Sequence, residues 1–136
     1  MEITLSLADG IPVFALAGRL DVATSPVLEE RLAPLYEASG SKLIMDCSAL
    51  SYVSSAGLRV FLMCQRHLSA AGGGLAFASL GTPVRELFHL AGLEDLFIIE
   101  ETPEAAAVRL TAGKWEIGNR ESVIGNGEWG LKKLEG

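Results

Sequence analysis

The sequence predicts a single α/β domain: an opening β-hairpin, then alternating helices and strands, giving a mixed, mostly parallel sheet packed by about four helices. Three observations predict it. Apolar and polar residues alternate at the N-terminus, a strong Asp9-Gly10 turn follows, and helical and strand patterns then take turns as far as about Leu110.

Ile3, Leu5 and Leu7 alternate with Thr4 and Ser6, the period of a half-buried strand. Asp9-Gly10 is a hairpin turn, and Ile11 to Ala17 is the second strand, ended by Gly18-Arg19-Leu20-Asp21. Thr24 or Ser25 is then expected to cap a helix, with Pro26 in its first turn and Glu29-Glu30 as a favourable acidic pair at its start. Val27, Leu28, Arg31, Leu32 and Leu35 recur at helical spacing, and Pro34 should kink or shorten the helix. Lys42 to Asp46 reads as a short strand, followed by a turn-rich segment from Cys47 to Val53. From Ser55 onward Leu58, Phe61, Leu62, Gln65 and Leu68 line one side of a helix that ends near Ala71, stopped by Gly72-Gly73-Gly74. Leu75 to Ser79 is the next strand. A third helix runs from Thr82-Pro83 to Gly92, Leu96 to Ile99 is the last strand, and Thr102-Pro103-Glu104 opens a final helix reaching about Leu110.

Composition narrows the function classes. The chain has 136 residues, 49% hydrophobic and 21% charged, with net charge −6. That is enough for one domain with a real core. Residues 1–112 carry 13 acidic and 7 basic side chains, and residues 113–136 carry 4 of each, so the negative excess belongs to the first segment. Nucleic acid and anionic membranes are poor partners for such a surface. There is no membrane-length apolar run and no signal-peptide pattern at the start, so the expected location is cytoplasmic. Cys47 and Cys64 stand alone among apolar neighbours, and His67 and His89 complete no metal-ligand spacing. No metal or other cofactor is expected.

The domain is taken as residues 1–112, and residues 113–136 as an extension of unknown role containing both tryptophans. Ser122-Val123-Ile124 and Glu128-Trp129 flank Gly125-Asn126-Gly127, a hairpin pattern that suits addition to the sheet, a homodimer contact, or the start of a second domain.

The stretch from Asp46 to Val60 carries the chemistry. A strand leads through a loop to Ser54-Ser55-Ala56-Gly57-Leu58, where a helix begins. A helix N-terminus presents unpaired N–H groups and the positive end of a dipole, suited to an added phosphate. Ser is also the commonest kind of N-cap, for purely structural reasons. Two adjacent serines cannot both cap, however. If Ser54 caps, Ser55 is the free hydroxyl, and Ala56 and Gly57 are small enough to let a partner approach it.

This segment resembles the signature of the STAS domain of bacterial anti-sigma factor antagonists, roughly Asp-x-Ser-x-Leu/Val-x-aromatic-apolar-Asp-Ser-small-Gly-Leu. Gly18-Arg19-Leu20-Asp21 and the run from Pro83 through Leu87-Phe88 to Ala91-Gly92-Leu93 extend the resemblance over about residues 1–110. It implies a STAS-like fold and a partner-switching cycle. The unmodified protein binds an anti-sigma factor that is also a serine kinase, phosphorylation at Ser55 releases it, and a PP2C-type phosphatase resets the system. Asp21, Asp46, Ser54, Ser55, Ala56, Gly57 and Arg59 are the implied partner-binding residues. Ser54 stands where the best-known members carry Asp, and is a second candidate acceptor. The resemblance also admits a stressosome subunit or an accessory subunit of a lipid-transport ABC complex.

Enzymatic readings fare worse. A nucleophile elbow requires Gly two residues on either side of the serine, and Val53 occupies the first position. Gly72-Gly73-Gly74 lacks the Lys-Ser/Thr of a P-loop, although some STAS domains are reported to bind nucleotides. The protein is read as a binding module, not an enzyme.

Overall fold

A computed structural model describes the chain from Met1 to Ile117. In chain order the elements are β1 (Glu2–Ala8), β2 (Ile11–Leu20), α1 (Ser25–Tyr36), β3 (Lys42–Val53), α2 (Ser55–Ala70), β4 (Gly74–Ala78), α3 (Thr82–Leu90), β5 (Ile98–Glu100) and α4 (Pro103–Ile117). This is the succession expected from the patterning. The five strands lie in the order β1-β2-β3-β4-β5, with β1 antiparallel to β2 and every later pair parallel.

Helices cover both faces of the sheet. On one face, α1, α2 and α3 bury Leu28, Leu32, Phe61, Leu68 and Phe88 against Leu16, Leu43, Met45 and Phe77. On the other, Ala106, Ala107 and Leu110 of α4 pack on Val13, Ile44 and Ala76. At the centre of the first face the Phe61 and Phe77 rings meet edge to face at 4.9 Å, and Phe77 meets Phe88 at 5.3 Å and Phe97 at 4.8 Å. Such contacts add directional attraction to a large burial of apolar area. Cys47 and Cys64 are buried in this core as expected, and burial pushes both thiols up, Cys64 to about 12.

The main departure from expectation is β3. It continues through the turn-like segment to Val53, because two irregularities let it follow the long β2. Ala15 pairs with Asp46 but Ala17 with Ala49, and Gly18 pairs with Leu50 but Arg19 with Tyr52. Each shift places one extra residue on β3. The buried residues Cys47, Leu50 and Val53 therefore recur every third position rather than every second, which disguises the strand as a turn.

Smaller differences have local causes. β1 is an edge strand, so Leu5 and Leu7 keep the alternation yet stay 59% and 69% exposed. β4 stops at Ala78, before the positive φ of Ser79, and β5 begins two residues after Leu96, at Ile98. Pro34 falls in the last turn of α1, where it shortens nothing. Gly73 lies against the Ser41 carbonyl, with a Cβ there only 1.7 Å from the oxygen, so the glycine run serves a close chain crossing. α4 continues past residue 112 to Ile117, and the hairpin pattern over residues 122–129 lies outside the described residues.

The aromatic centre supports a stability test. Phe77→Ala is expected to lower unfolding free energy by about 3–5 kcal/mol, read as a fall in the urea midpoint at unchanged slope.

Candidate functional site

The bulged half of β3 delivers the chain to α2. At the first bulge the Asp46 carboxylate accepts the Ser48 N–H at 2.9 Å. At the second, the Ser51 hydroxyl donates to the Gly18 carbonyl at 2.9 Å. These side chains satisfy main-chain groups that the interrupted ladder leaves free. Beyond Val53 the Ser54 N–H donates to the Leu20 carbonyl at 2.9 Å, which ties the start of α2 to the end of β2.

Gly57 sets how closely α2 approaches. A Cβ there would sit 2.8 Å from Leu20 Cγ and 2.9 Å from Val53 Cγ1. Leu20 is fully buried and cannot give way, so only glycine allows this contact.

The two serines divide their duties. Ser54 is the N-cap: its backbone is extended and its hydroxyl accepts the Gly57 N–H at 3.3 Å. Ser55 is the first residue of α2 and exposed, and its hydroxyl makes no hydrogen bond among the described residues. It stands between two grooves. One, of about 410 Å³, separates α2 from α1 and is lined by Val22, Ser25, Glu29, Arg59 and Val60 along with Ser55. The other, of about 430 Å³, separates α2 from α3 and is more apolar, lined by Tyr52, Leu58, Pro83, Val84 and Leu87. Tyr52 carries the Arg19 guanidinium 4.1 Å from its ring centre, so this cation is engaged.

Ala56, Gly57 and Arg59 share the first turns of α2 with the serines, but the two aspartates do not act as free acids beside them. Asp21 turns inward to hold the start of α1. Its carboxylate accepts the Ala23 and Thr24 N–H groups, each at 3.1 Å. The Thr24 hydroxyl accepts the Asp21 N–H at 2.8 Å and shares its one proton between the Arg19 carbonyl at 2.8 Å and the Asp21 carboxylate at 3.1 Å. Neither Thr24 nor Ser25 therefore caps with its own side chain, contrary to expectation, and Glu29 lies beyond the first turn. The Thr24 N–H, then the Thr24 hydroxyl, the Ala23 N–H and the Arg19 charge, hold the Asp21 carboxyl below the usual aspartate range. Asp46 pairs in register with Ala15 and Ala78. It therefore shares the α4 face with Ile44, not the α2 face with Ser55.

His67 stacks on Tyr36 with ring centres 4.3 Å apart, and His89 is bonded to Glu94 at 2.8 Å. Among the described residues no cluster of metal-ligating side chains occurs, and no helix is long and apolar enough to cross a membrane. The sequence carries no signal for the grooves. Tyr52 and Pro83 stand within their motifs, but Ser25 and Glu29 come from α1, remote in sequence, where their local pattern reads only as the start of a helix.

The STAS domain family matches residues 2–106. The chain belongs to this family. Among STAS relatives, the BtrV protein of Bordetella bronchiseptica is 34% identical over 107 residues, 79% of this chain and 92% of its own. The anti-sigma-B factor antagonist of Bacillus subtilis is 36% identical over 89 residues, 65% of this chain and 81% of its own. The Bacillus cell fate determinant SpoIIAA, solved in its phosphorylated form, shares the fold with TM-score 0.63 at 22% identity, covering 79% of this chain and 98% of that one.

Two outcomes follow from the geometry of this STAS surface. Ser54→Ala removes a cap and should destabilise the protein by about 0.5–2 kcal/mol, whereas Ser55→Ala should stay within about 0.5 kcal/mol of wild type; paired chemical denaturation measures both. Folding lowers the Asp21 pKa, so its bonds are at full strength above the unfolded value of about 3.9 and are lost as pH falls through the lower folded value. The Ala23 and Thr24 amide resonances should titrate with a midpoint below about 3.9, and Asp21→Asn should abolish that titration.

Proposed function

We propose that this STAS protein is an anti-sigma factor antagonist switched by phosphorylation of Ser55. The unmodified form binds an anti-sigma factor with serine kinase activity, the phosphorylated form releases it, and a PP2C-type phosphatase restores binding. One observation carries the reading. With Ser54 committed to the cap, Ser55 presents an exposed, unbonded hydroxyl where two grooves meet. The names of the relatives support the partner class, and the phosphorylated SpoIIAA structure supports a fold that carries the modification.

Charge explains how the switch works. A phosphoryl group adds about −1.5 to −2 charges to a domain already in negative excess. It does so on the exposed rim between the two grooves, where a docked partner would have to desolvate it. Inverting a 99:1 ratio of bound to free protein requires about 5.5 kcal/mol, which desolvation of the charged group beneath a docked partner and its bulk in the interface supply together. On the helix terminus the same group is tolerated, so the fold persists while the surface changes.

Co-expression with candidate kinase-like ATPases from the same genome, followed by intact-mass and peptide analysis, tests the proposal. One phosphate is expected on Ser55, lost in Ser55→Ala and kept in Ser54→Ala, and Ser55→Asp should weaken partner binding by about tenfold or more, roughly 1.4 kcal/mol. Absence of phosphate from Ser55, with Ser55→Asp binding as tightly as wild type, defeats it.

A further inference from the structure

The groove between α1 and α2 contains a buried hydroxyl that the fold leaves unused. Ser25 is 4% exposed and lines this groove, and its Oγ is closed to solvent with no hydrogen-bond partner. An unpaired buried hydroxyl is costly, and such a group calls for an explanation. The sequence cannot announce it, because Ser25 looks like a cap until the structure shows α1 starting at Ser25 with no side-chain cap and the Asp21 carboxylate holding the turn before it.

Three other features face the same space. Arg59 lies one helical turn after Ser55, the spacing at which side chains meet on a helix, and it lines the groove without an ion pair among the described residues. The first turn of α2 supplies main-chain donors. The Ser54 N–H goes to Leu20 and the Gly57 N–H to the Ser54 hydroxyl, which leaves the Ser55 and Ala56 N–H groups unbonded among the described residues. Glu29, on the α1 wall, is the one carboxylate lining the groove among the described residues. Asp21 is nearby in sequence, but its charge is engaged by Thr24, Ala23 and Arg19.

We infer that the α1–α2 groove is the seat of the phosphoryl group carried by Ser55, held by the Arg59 guanidinium, the Ser25 hydroxyl and the free N–H groups of the first turn of α2. The inference rests on Ser55 as the acceptor and adds where its phosphate goes. Arg59 supplies the planar, charge-assisted contact that phosphate oxygens favour, and Ser25, whose Oγ is closed to solvent in the unmodified protein, gains the acceptor it lacks by rotating about χ1 towards the groove it lines. Glu29 opposes the phosphate and limits how tightly it is held. Seated this way, the phosphoryl group occupies the Ser55 end of one of the two grooves, so modification reshapes that surface as well as charging it.

The test installs phosphoserine at position 55 by genetic-code expansion, so that it needs no kinase and fails or succeeds independently of the acceptor assignment. Phosphorus NMR titration then reads the second phosphate pKa. In wild type it should lie below the value of about 6 for a free phosphoserine. Arg59→Gln should raise it by about half a unit or more, Ser25→Ala should raise it less, and Glu29→Gln should lower it. In the unmodified protein Ser25→Ala should leave the melting temperature unchanged or raise it, because it deletes an unpaired hydroxyl. A phosphate pKa indifferent to both Arg59→Gln and Ser25→Ala overturns the inference. Movement with Arg59→Gln alone, Ser25→Ala being silent, also overturns it, since that pattern means pairing along the helix without occupation of the groove.

Discussion

The contact of Gly57 with Leu20 and Val53 is the constraint on which the site depends. Because no Cβ fits there, α2 lies flush on the ends of β2 and β3, and the Ser54 N–H reaches the Leu20 carbonyl. With Ser54 pinned, its hydroxyl is directed to the helix and Ser55 is turned outward. A methyl group at position 57 would push α2 away from the sheet and scramble this division of duties. Gly57 is thus a packing requirement first, and access for a partner comes with it.

Much of this architecture can be read along the chain, for physical reasons that differ between elements. β1, α1, α2 and α3 declare themselves because their apolar periods are regular and their boundaries carry Gly, Pro or Ser. The allocation of Ser54 to the cap follows from the simple exclusion that two adjacent hydroxyls cannot both do it. β3 is legible only as far as Asp46, because its two bulges replace the strand period with a spacing of three. Asp21 and Asp46 read as acids near an acceptor, and in the structure one oxygen of each carboxylate also holds main-chain N–H groups. Local pattern does not distinguish a charge that faces a partner from one that holds a turn.

The charge layout of the surface is less uniform than the net value suggests. The domain is acidic, but α2 contains no Asp or Glu and carries Arg59 and Arg66. Its N-terminal dipole end adds to this local positive character. Ser55 therefore sits at a positive spot on a negative body. The Arg19 cation, stacked on Tyr52, marks the apolar groove on the other side. A partner that reaches over Ser55 meets a polar wall on the α1 side and a greasy one on the α3 side, and this asymmetry gives the surface an orientation.

The two helices that border the polar groove are fastened at their N-termini by different chemistry. α1 hangs on the Asp21 carboxylate, a titratable group, and α2 on the Ser54 hydroxyl, which is neutral at every pH. Acid weakens the first fastening and does not touch the second. The acceptor serine is consequently held by a fixed hinge-post while the opposite wall is free to loosen. A carboxylate at position 54, as in the best-known family members, would instead tie the acceptor's geometry to proton concentration and set a permanent negative charge beside the phosphate.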